Sequence, residues 1–285
     1  MQLSIGRRIK VYSSSSEIAD SAVNIGIRKA GMTLPAKFLL GILAGAFIAF
    51  GSQAANLVTH TLTDPAAAKL TAGLIFPAGL IAVLMAGAEL FTGNCLMIIP
   101  LAKKRITLTE LLSSWLIVYL GNFAGSLIVA CLVSLSGQWN MSAGLLGAFT
   151  LKVAAGKISL SFTEAVTLGI LCNWLVCLAV WMSFGAKDGI TKAICAFFPV
   201  WVFIASGFEH SIANMYYIPA GIIAKSSPLY VAKAIEIGVS QANIDALGCV
   251  SMFTRNLIPV TIGNIIGGCV FVGLAYWYVY LRGKK

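Results

Sequence analysis

Six stretches of this chain, at about 36–57, 70–100, 108–135, 162–185, 191–224 and 252–281, are almost continuously apolar. A helix that crosses the hydrocarbon core of a bilayer needs ~20 predominantly apolar residues. All six reach that length, and the second, fifth and sixth exceed it. Composition leaves no other home for such segments. Hydrophobic residues make up 59% of the 285 and charged residues 11%, against roughly 25% charged in ordinary globular chains. Those proportions exclude a soluble enzyme, a nucleic-acid binder and a disordered scaffold. The net charge of +10 therefore belongs to loops at an anionic membrane face, and the expected partner is the lipid bilayer, with no nucleic acid.

Lysine and arginine placement sets the orientation. Arg7, Arg8, Lys10, Arg28, Lys29 and Lys37 precede or open the first stretch. Lys103, Lys104, Arg105, Lys187 and Lys192 fall in the even-numbered loops, and Arg282, Lys284 and Lys285 in the tail. These are fourteen of the twenty basic residues, so both termini are predicted to be cytoplasmic. The opposite loops hold Lys69, Lys152, Lys157, Lys225, Lys233 and Arg255. Residues 1–35 are polar and basic, without the apolar core of a signal peptide. Within them Ile18, Ala22, Ile25 and Ile27 alternate with polar residues in the manner of an interfacial amphipathic helix. A membrane-surface anchor and a mobile lid over the cytoplasmic mouth both fit that pattern. The pore domain is predicted to span 36–281, followed by a cytoplasmic tail at 282–285. The seven cysteines have neither disulfide-framework nor zinc-site spacing, and Cys172 and Cys177 read as small apolar filler.

The chain also repeats itself. Leu40-Gly41-Ile42-Leu43 returns as Leu168-Gly169-Ile170-Leu171, and Gly87-x-Glu89-x4-Asn94 returns as Gly207-x-Glu209-x4-Asn214. Gly121-Asn122-x2-Gly125 returns as Gly263-Asn264-x2-Gly267. Each half holds three spans, an odd number, so the second half enters the membrane from the opposite side. The predicted fold class is an all-α membrane protein of six transmembrane helices in an inverted 3+3 repeat, with the second and fifth helices broken. A carboxylate inside a span is expensive and marks a functional site by default. Glu89 and Glu209, with Asn94 and Asn214, are predicted to stabilise the two breaks by satisfying freed backbone groups. Half-helix N-termini present positive dipole ends, and two meeting near the midplane suit a small anion.

His210 stands beside Glu209 in the second break, and its imidazole titrates near neutrality, so it is predicted to hydrogen-bond an anion or exchange a proton with it. Thr92, in the matching loop, offers a hydroxyl that donates or accepts. Asn173 either adds an amide donor or serves a structural hydrogen bond. Lys157 either concentrates anions by its charge or is a plain surface lysine. Phe76, Leu80, Phe91 and Phe203 flank these polar groups as packing or as hydrophobic constrictions, and Gly41, Gly45, Gly125, Gly267 and Gly268 suit close helix approach.

These residues carry a resemblance. The run Leu84-Met85-Ala86-Gly87-Ala88-Glu89-Leu90-Phe91-Thr92-Gly93 resembles the first signature of the formate/nitrite transporter family. Gly169-Ile170-Leu171-Cys172-Asn173-Trp174-Leu175-Val176-Cys177-Leu178-Ala179 resembles the second, and Gly207-Phe208-Glu209-His210-Ser211-Ile212-Ala213-Asn214-Met215 its broken fifth helix. The resemblance covers nearly the whole chain after about residue 15. It implies an aquaporin-like protomer with its own pore, assembled as a homopentamer in a bacterial inner membrane. It also implies a central Thr92 and His210, a vestibule Lys157 and a pore Asn173. The implied slits are Leu80, Phe91 and Val176 on the cytoplasmic side, with Phe76 and Phe203 on the external side. The family passes formate, nitrite, hydrosulfide or lactate, and the aromatic Phe203 resembles the formate branch. The expected function is a channel or transporter for small monovalent anions, chiefly formate, eased by transient protonation at His210.

Three rivals are weaker. A purely structural membrane protein would not require paired intramembrane carboxylates at helix breaks. A neutral-solute pore of the water/glycerol type carries Asn-Pro-Ala at its half-helix ends, and this sequence has none. A membrane-anchor redox subunit needs two haem-ligating histidines inside spans, and His210 alone qualifies, since His60 falls in an external loop. No nucleophile–base pair, metal cluster or nucleotide loop is legible, so the expectation is a non-enzyme without cofactor or metal.

Overall fold

The computed structural model describes residues 11–283, and every described element of regular structure is helical apart from one isolated bridge between Tyr12 and Ala186. Arg7, Arg8, Lys10, Lys284 and Lys285 lie outside the described residues. The N-terminal helix α1 (Ser15–Ala30) opens on a capping box, in which the Glu17 amide donates to the Ser14 hydroxyl and the Ser14 amide donates to the Glu17 carboxylate. Its Ile18, Ala19, Ala22, Val23, Gly26 and Ala30 are buried at helical spacing against the rest of the protein.

Two long helices follow the predicted stretches closely: α2 (Leu34–Thr59) and, after the first broken segment, α6 (Leu108–Leu135). Between them α3 (Pro65–Ile75) and α4 (Pro77–Ala86) form one continuous apolar rod that starts earlier than its sequence suggests. The chain then leaves helical geometry over 87–92 and resumes as a 3₁₀ turn, Gly93–Met97, and the short α5 (Ile98–Ala102). In the second half α7 (Leu145–Ile158) precedes the long α8 (Phe162–Gly185). The fifth stretch is split into α9 (Gly189–Ala205) and α10 (Ser211–Ala224). Two outlying helices, α11 (Pro228–Glu236) and α12 (Gln241–Ala246), lead to the last rod, Cys249–Tyr280. That rod runs through α13 (Cys249–Ser251), a π segment at Met252–Leu257, α14 (Ile258–Gly268), a second π segment at Cys269–Leu274 and α15 (Ala275–Tyr280). Five of these helical segments are long and apolar enough to cross a membrane, while Gly93–Ala102 and Gly189–Ala205 are shorter.

Two helix pairs frame the breaks. The pair α2 and α6 approaches so closely that a side chain at Gly45 or Gly125 would strike the opposing backbone. The same holds for α8 and α14 at Gly263 and Gly267. Small residues at such crossings let helix backbones touch where the surrounding lipid gives no hydrophobic drive to associate. Large apolar side chains on the outer faces remain exposed, among them Leu39, Leu116, Leu132 and Phe162, as a lipid-facing surface requires.

A candidate permeation path between two broken helices

Each break begins with a glycine in the left-handed region, Gly87 at φ +81° and Gly207 at φ +72°. The residues after them close the helix ends in the same way: Ala88 N–H donates to Val83 and Phe208 N–H to Phe203, at 3.0 Å each. Past that point the backbone groups need partners from other elements, because hydrocarbon offers them none. Two asparagines supply them. Asn122 on α6 donates to the Gly41 and Glu89 carbonyls at 2.8 and 2.9 Å and accepts from the Phe91 amide at 2.9 Å. Asn264 on α14 donates to Gly169 and Glu209 at the same two distances and accepts from Ser211 at 2.9 Å. The amides of Glu89 and Glu209 complete the set by donating to Leu40 and Leu168. Backbone satisfaction thus falls to Asn122 and Asn264, not to the two glutamates as the sequence leads one to expect. A carboxylate is an acceptor only and cannot serve a freed carbonyl.

The glutamates instead hold a charge cluster at each mouth. Glu89 accepts from Asn94 at 2.8 Å and from Lys29 at 3.0 Å, and Lys29 also donates to Asn94 at 2.7 Å. Glu209 accepts from Asn214 at 2.7 Å and from Lys157 at 2.6 Å, and Asn256 in the first π segment ties Asn214 to the Lys157 carbonyl. The lysine side chains are about a quarter and a fifth exposed, the glutamates nearly sealed. Lys29 enters the sequence expectations only as a topology charge, yet it lies 128 residues before Lys157, the offset that relates Leu40-Gly41 to Leu168-Gly169. A lysine–glutamate pair thus stands at both breaks.

A cavity opens beside each cluster. One of about 380 Å³ is lined by Arg28, Lys29, Glu89 and Lys192, and one of about 310 Å³ by Asn56, Lys69, Lys157 and Tyr217. They lie toward opposite ends of the α3–α4 rod, since Val83, Leu84 and Gly87 line the first and Ala68, Lys69 and Ala72 the second. Between them the rod presents Phe76 and Leu80 to a void of about 10 Å³, closed by Ile48, Leu90, Val176, Val200, Phe203 and His210. That is room for about one water, so the path is shut here. The Phe76 and Phe203 rings meet edge to face at 5.8 Å.

At this constriction the two breaks touch. His210 caps α10, its Nδ1 accepting the Ala213 amide at 3.2 Å, and its Nε2 lies 2.8 Å from the Thr92 hydroxyl. Because Nδ1 accepts, the neutral ring carries its proton on Nε2, which donates to Thr92 Oγ1. Asn173 gives its amide hydrogens to the Thr92 and Asn264 carbonyls at 3.2 and 2.7 Å, which fastens the loop that carries Thr92. The structure therefore brings Phe76, Leu80, Val176, Phe203 and His210 around one void and sets Thr92 against the histidine. Phe91 is buried and its ring meets Trp115 and Tyr119 edge to face, while its neighbour Leu90 is among the residues that line this void.

Apolar helices on the outside, two interrupted helices within, and a sealed polar contact between two cation-bearing cavities define a multi-pass α-helical membrane protein of the channel type. The chain belongs to the formate/nitrite transporter family, whose model matches residues 16–278. It is 43% identical to the formate channel FocA of Escherichia coli strain K12 over 93% of both chains, and 40% identical to that of Haemophilus influenzae over 92% of this chain and 93% of the other. Among solved structures it resembles a pentameric formate channel with formate bound, with a TM-score of 0.79 at 38% identity, over 87% of this chain and 98% of that one.

Proposed function

We propose that this protein is a formate channel of a bacterial inner membrane, a homopentamer of six-helix protomers with both termini in the cytoplasm. The two halves form an inverted repeat, and the Lys29–Glu89 mouth faces the cytoplasm. The paired hydrogen bonds of Asn122 and Asn264 support that repeat, and the relatives' channel activity supports the non-enzymatic reading. The observation that carries the assignment is the 2.8 Å contact between Thr92 and His210 beside the closed void between the two cavities. An anion in an apolar collar loses its hydration and needs donors there. The hydroxyl of Thr92 and Nε2–H of His210 are donors that an oxyanion can engage by displacing their mutual bond. Phe76, Leu80, Val176 and Phe203 exclude hydrated ions until they move apart. Lys157 and Lys29 position the glutamates, and Asn173 holds the Thr92 loop.

Proton exchange at His210 is tied to the helix cap. A second proton must enter at Nδ1, where it displaces the Ala213 amide and uncaps α10. With that proton taken from water on one side, the imidazolium gives its Nε2 proton to formate and is left neutral with its proton on Nδ1. Exit of the neutral acid is thereby coupled to a local loosening of the second break. The test is uptake into proteoliposomes of formate in competition with nitrite, hydrosulfide and lactate at two pH values. Formate as the strongest competitor is the expected result, and nitrite or hydrosulfide outcompeting it would reassign the substrate. Unchanged pH-dependent flux in His210→Phe would remove the proton step while leaving the channel.

A further inference from the structure

The cavity beside Glu209 contains more donor chemistry than the central contact uses. Lys157 lines it but is paired with Glu209 at 2.6 Å, so its charge is offset before any anion arrives. Lys69, on α3, lines the same cavity and makes no ion pair among the described residues. Its Nζ lies over Gly207, the left-handed residue that starts the second break. Asn56, on α2, lines the cavity as well and is 3% exposed, yet no hydrogen bond reaches its amide nitrogen. A buried donor without a partner is costly, about 1–3 kcal/mol. The terminal torsion of an asparagine is soft and roughly two-fold, so this unpartnered donor can turn to an occupant of the cavity.

We propose that Lys69 and Asn56 form an anion-docking subsite at which a small carboxylate, or an oxyanion of similar size, rests before it enters the Phe76–Phe203 collar. The lysine supplies net charge that Lys157 does not, and the amide supplies the short-range hydrogen bond that turns attraction into a position. The inference rests on the formate-channel reading and adds a loading step to it.

The test is formate flux in oriented proteoliposomes, with half-saturation measured separately from each face. Lys69→Gln raises the half-saturating formate on the Glu209 face about threefold at ~0.01 M ionic strength, and the rise disappears near 1 M, where the screening length is ~3 Å. Asn56→Leu raises it on the order of tenfold at either salt, as loss of a hydrogen bond to a charged group does. Half-saturation from the Glu89 face is unchanged in both. Asn56→Asp, which keeps the shape and repels the anion, serves if the leucine variant fails to fold, and its expected rise is larger. A wild type that carries formate with no shift in either variant overturns the subsite and leaves the channel standing. A shift in Lys69→Gln alone means charge steering without a docked position and also overturns it. A wild type that carries no formate removes the functional reading, and the subsite with it.

Discussion

The two halves of the molecule fasten their broken helices with the same bonds but fill the breaks with different chemistry. Asn122 and Asn264 make the same three hydrogen bonds to within a tenth of an ångström. One residue beyond each glutamate, however, the first half has Leu90 and the second His210, and three residues beyond it they have Thr92 and Ile212. Each half contributes one member of the central hydrogen-bonded pair and an apolar residue at the other position. The helix that follows registers the difference. His210 caps a 14-residue α-helix, whereas Leu90 has no acceptor to offer and the first half resumes as a five-residue 3₁₀ turn. Unsatisfied backbone would destabilise either break equally, so the fastening is duplicated. A single polar contact in the closed collar is enough, so the chemistry is not.

That comparison is open to attack most directly at the asparagines. Asn122→Leu and Asn264→Leu each strand two carbonyls and one amide in the interior, and at ~1–3 kcal/mol per group each loses about 3 kcal/mol or more. Thermal unfolding of the detergent-purified protein measures this, and losses differing by more than ~1 kcal/mol would show that the two fastenings are not equivalent. Next come the mouths. Lys29→Met and Lys157→Met leave nearly sealed glutamates unpaired, a change worth ~3–5 kcal/mol for a fully buried pair. Partial exposure of the lysines lowers this to about 2 kcal/mol. Adding Glu209→Gln to Lys157→Met recovers part of it if the pair is coupled.

Smaller in stability, and sharper for function, is His210→Leu, which makes the second half resemble the first. Loss of the cap costs ~1 kcal/mol, and formate flux falls at least about tenfold if one donor's transition-path stabilisation is worth ~1.4 kcal/mol. The least effect is at the entry to the long helices. Thr33 makes no side-chain cap on α2, whereas Ser161 and Glu164 form a capping box on α8. Ser161→Ala is expected to lower thermal stability by about 0.5 kcal/mol, the low end for loss of an N-cap, whereas Thr33→Ala leaves the melting temperature unchanged.

How much of this was legible in the residues differs from element to element. Spans at 108–135 and 162–185 coincide with α6 and α8, because a long apolar run bounded by Thr107 or Ser161 caps states both its length and its start. The breaks were legible from Gly87 and Gly207, the residue type that tolerates positive φ without strain. Lys29 was missed although its offset from Lys157 marked it, since α1 reads from its own residues as a surface segment. The residue pairs that meet across the breaks were not written locally at all.

Sequence alone determined that this chain enters a bilayer, where its helices stop, and that its second half restates its first. Those follow from hydropathy, from glycine's backbone freedom and from spacing, all of which are properties of neighbours along the chain. Tertiary structure alone decided that asparagines rather than glutamates satisfy the broken backbone, that Leu90 joins the lining of the closed void, and that Asn173 spends its amide on carbonyls. Each of those depends on which groups meet after the helices pack, as when the Asn173 amide comes within 3.2 Å of the Thr92 carbonyl, and such contacts join residues 31 to 118 positions apart.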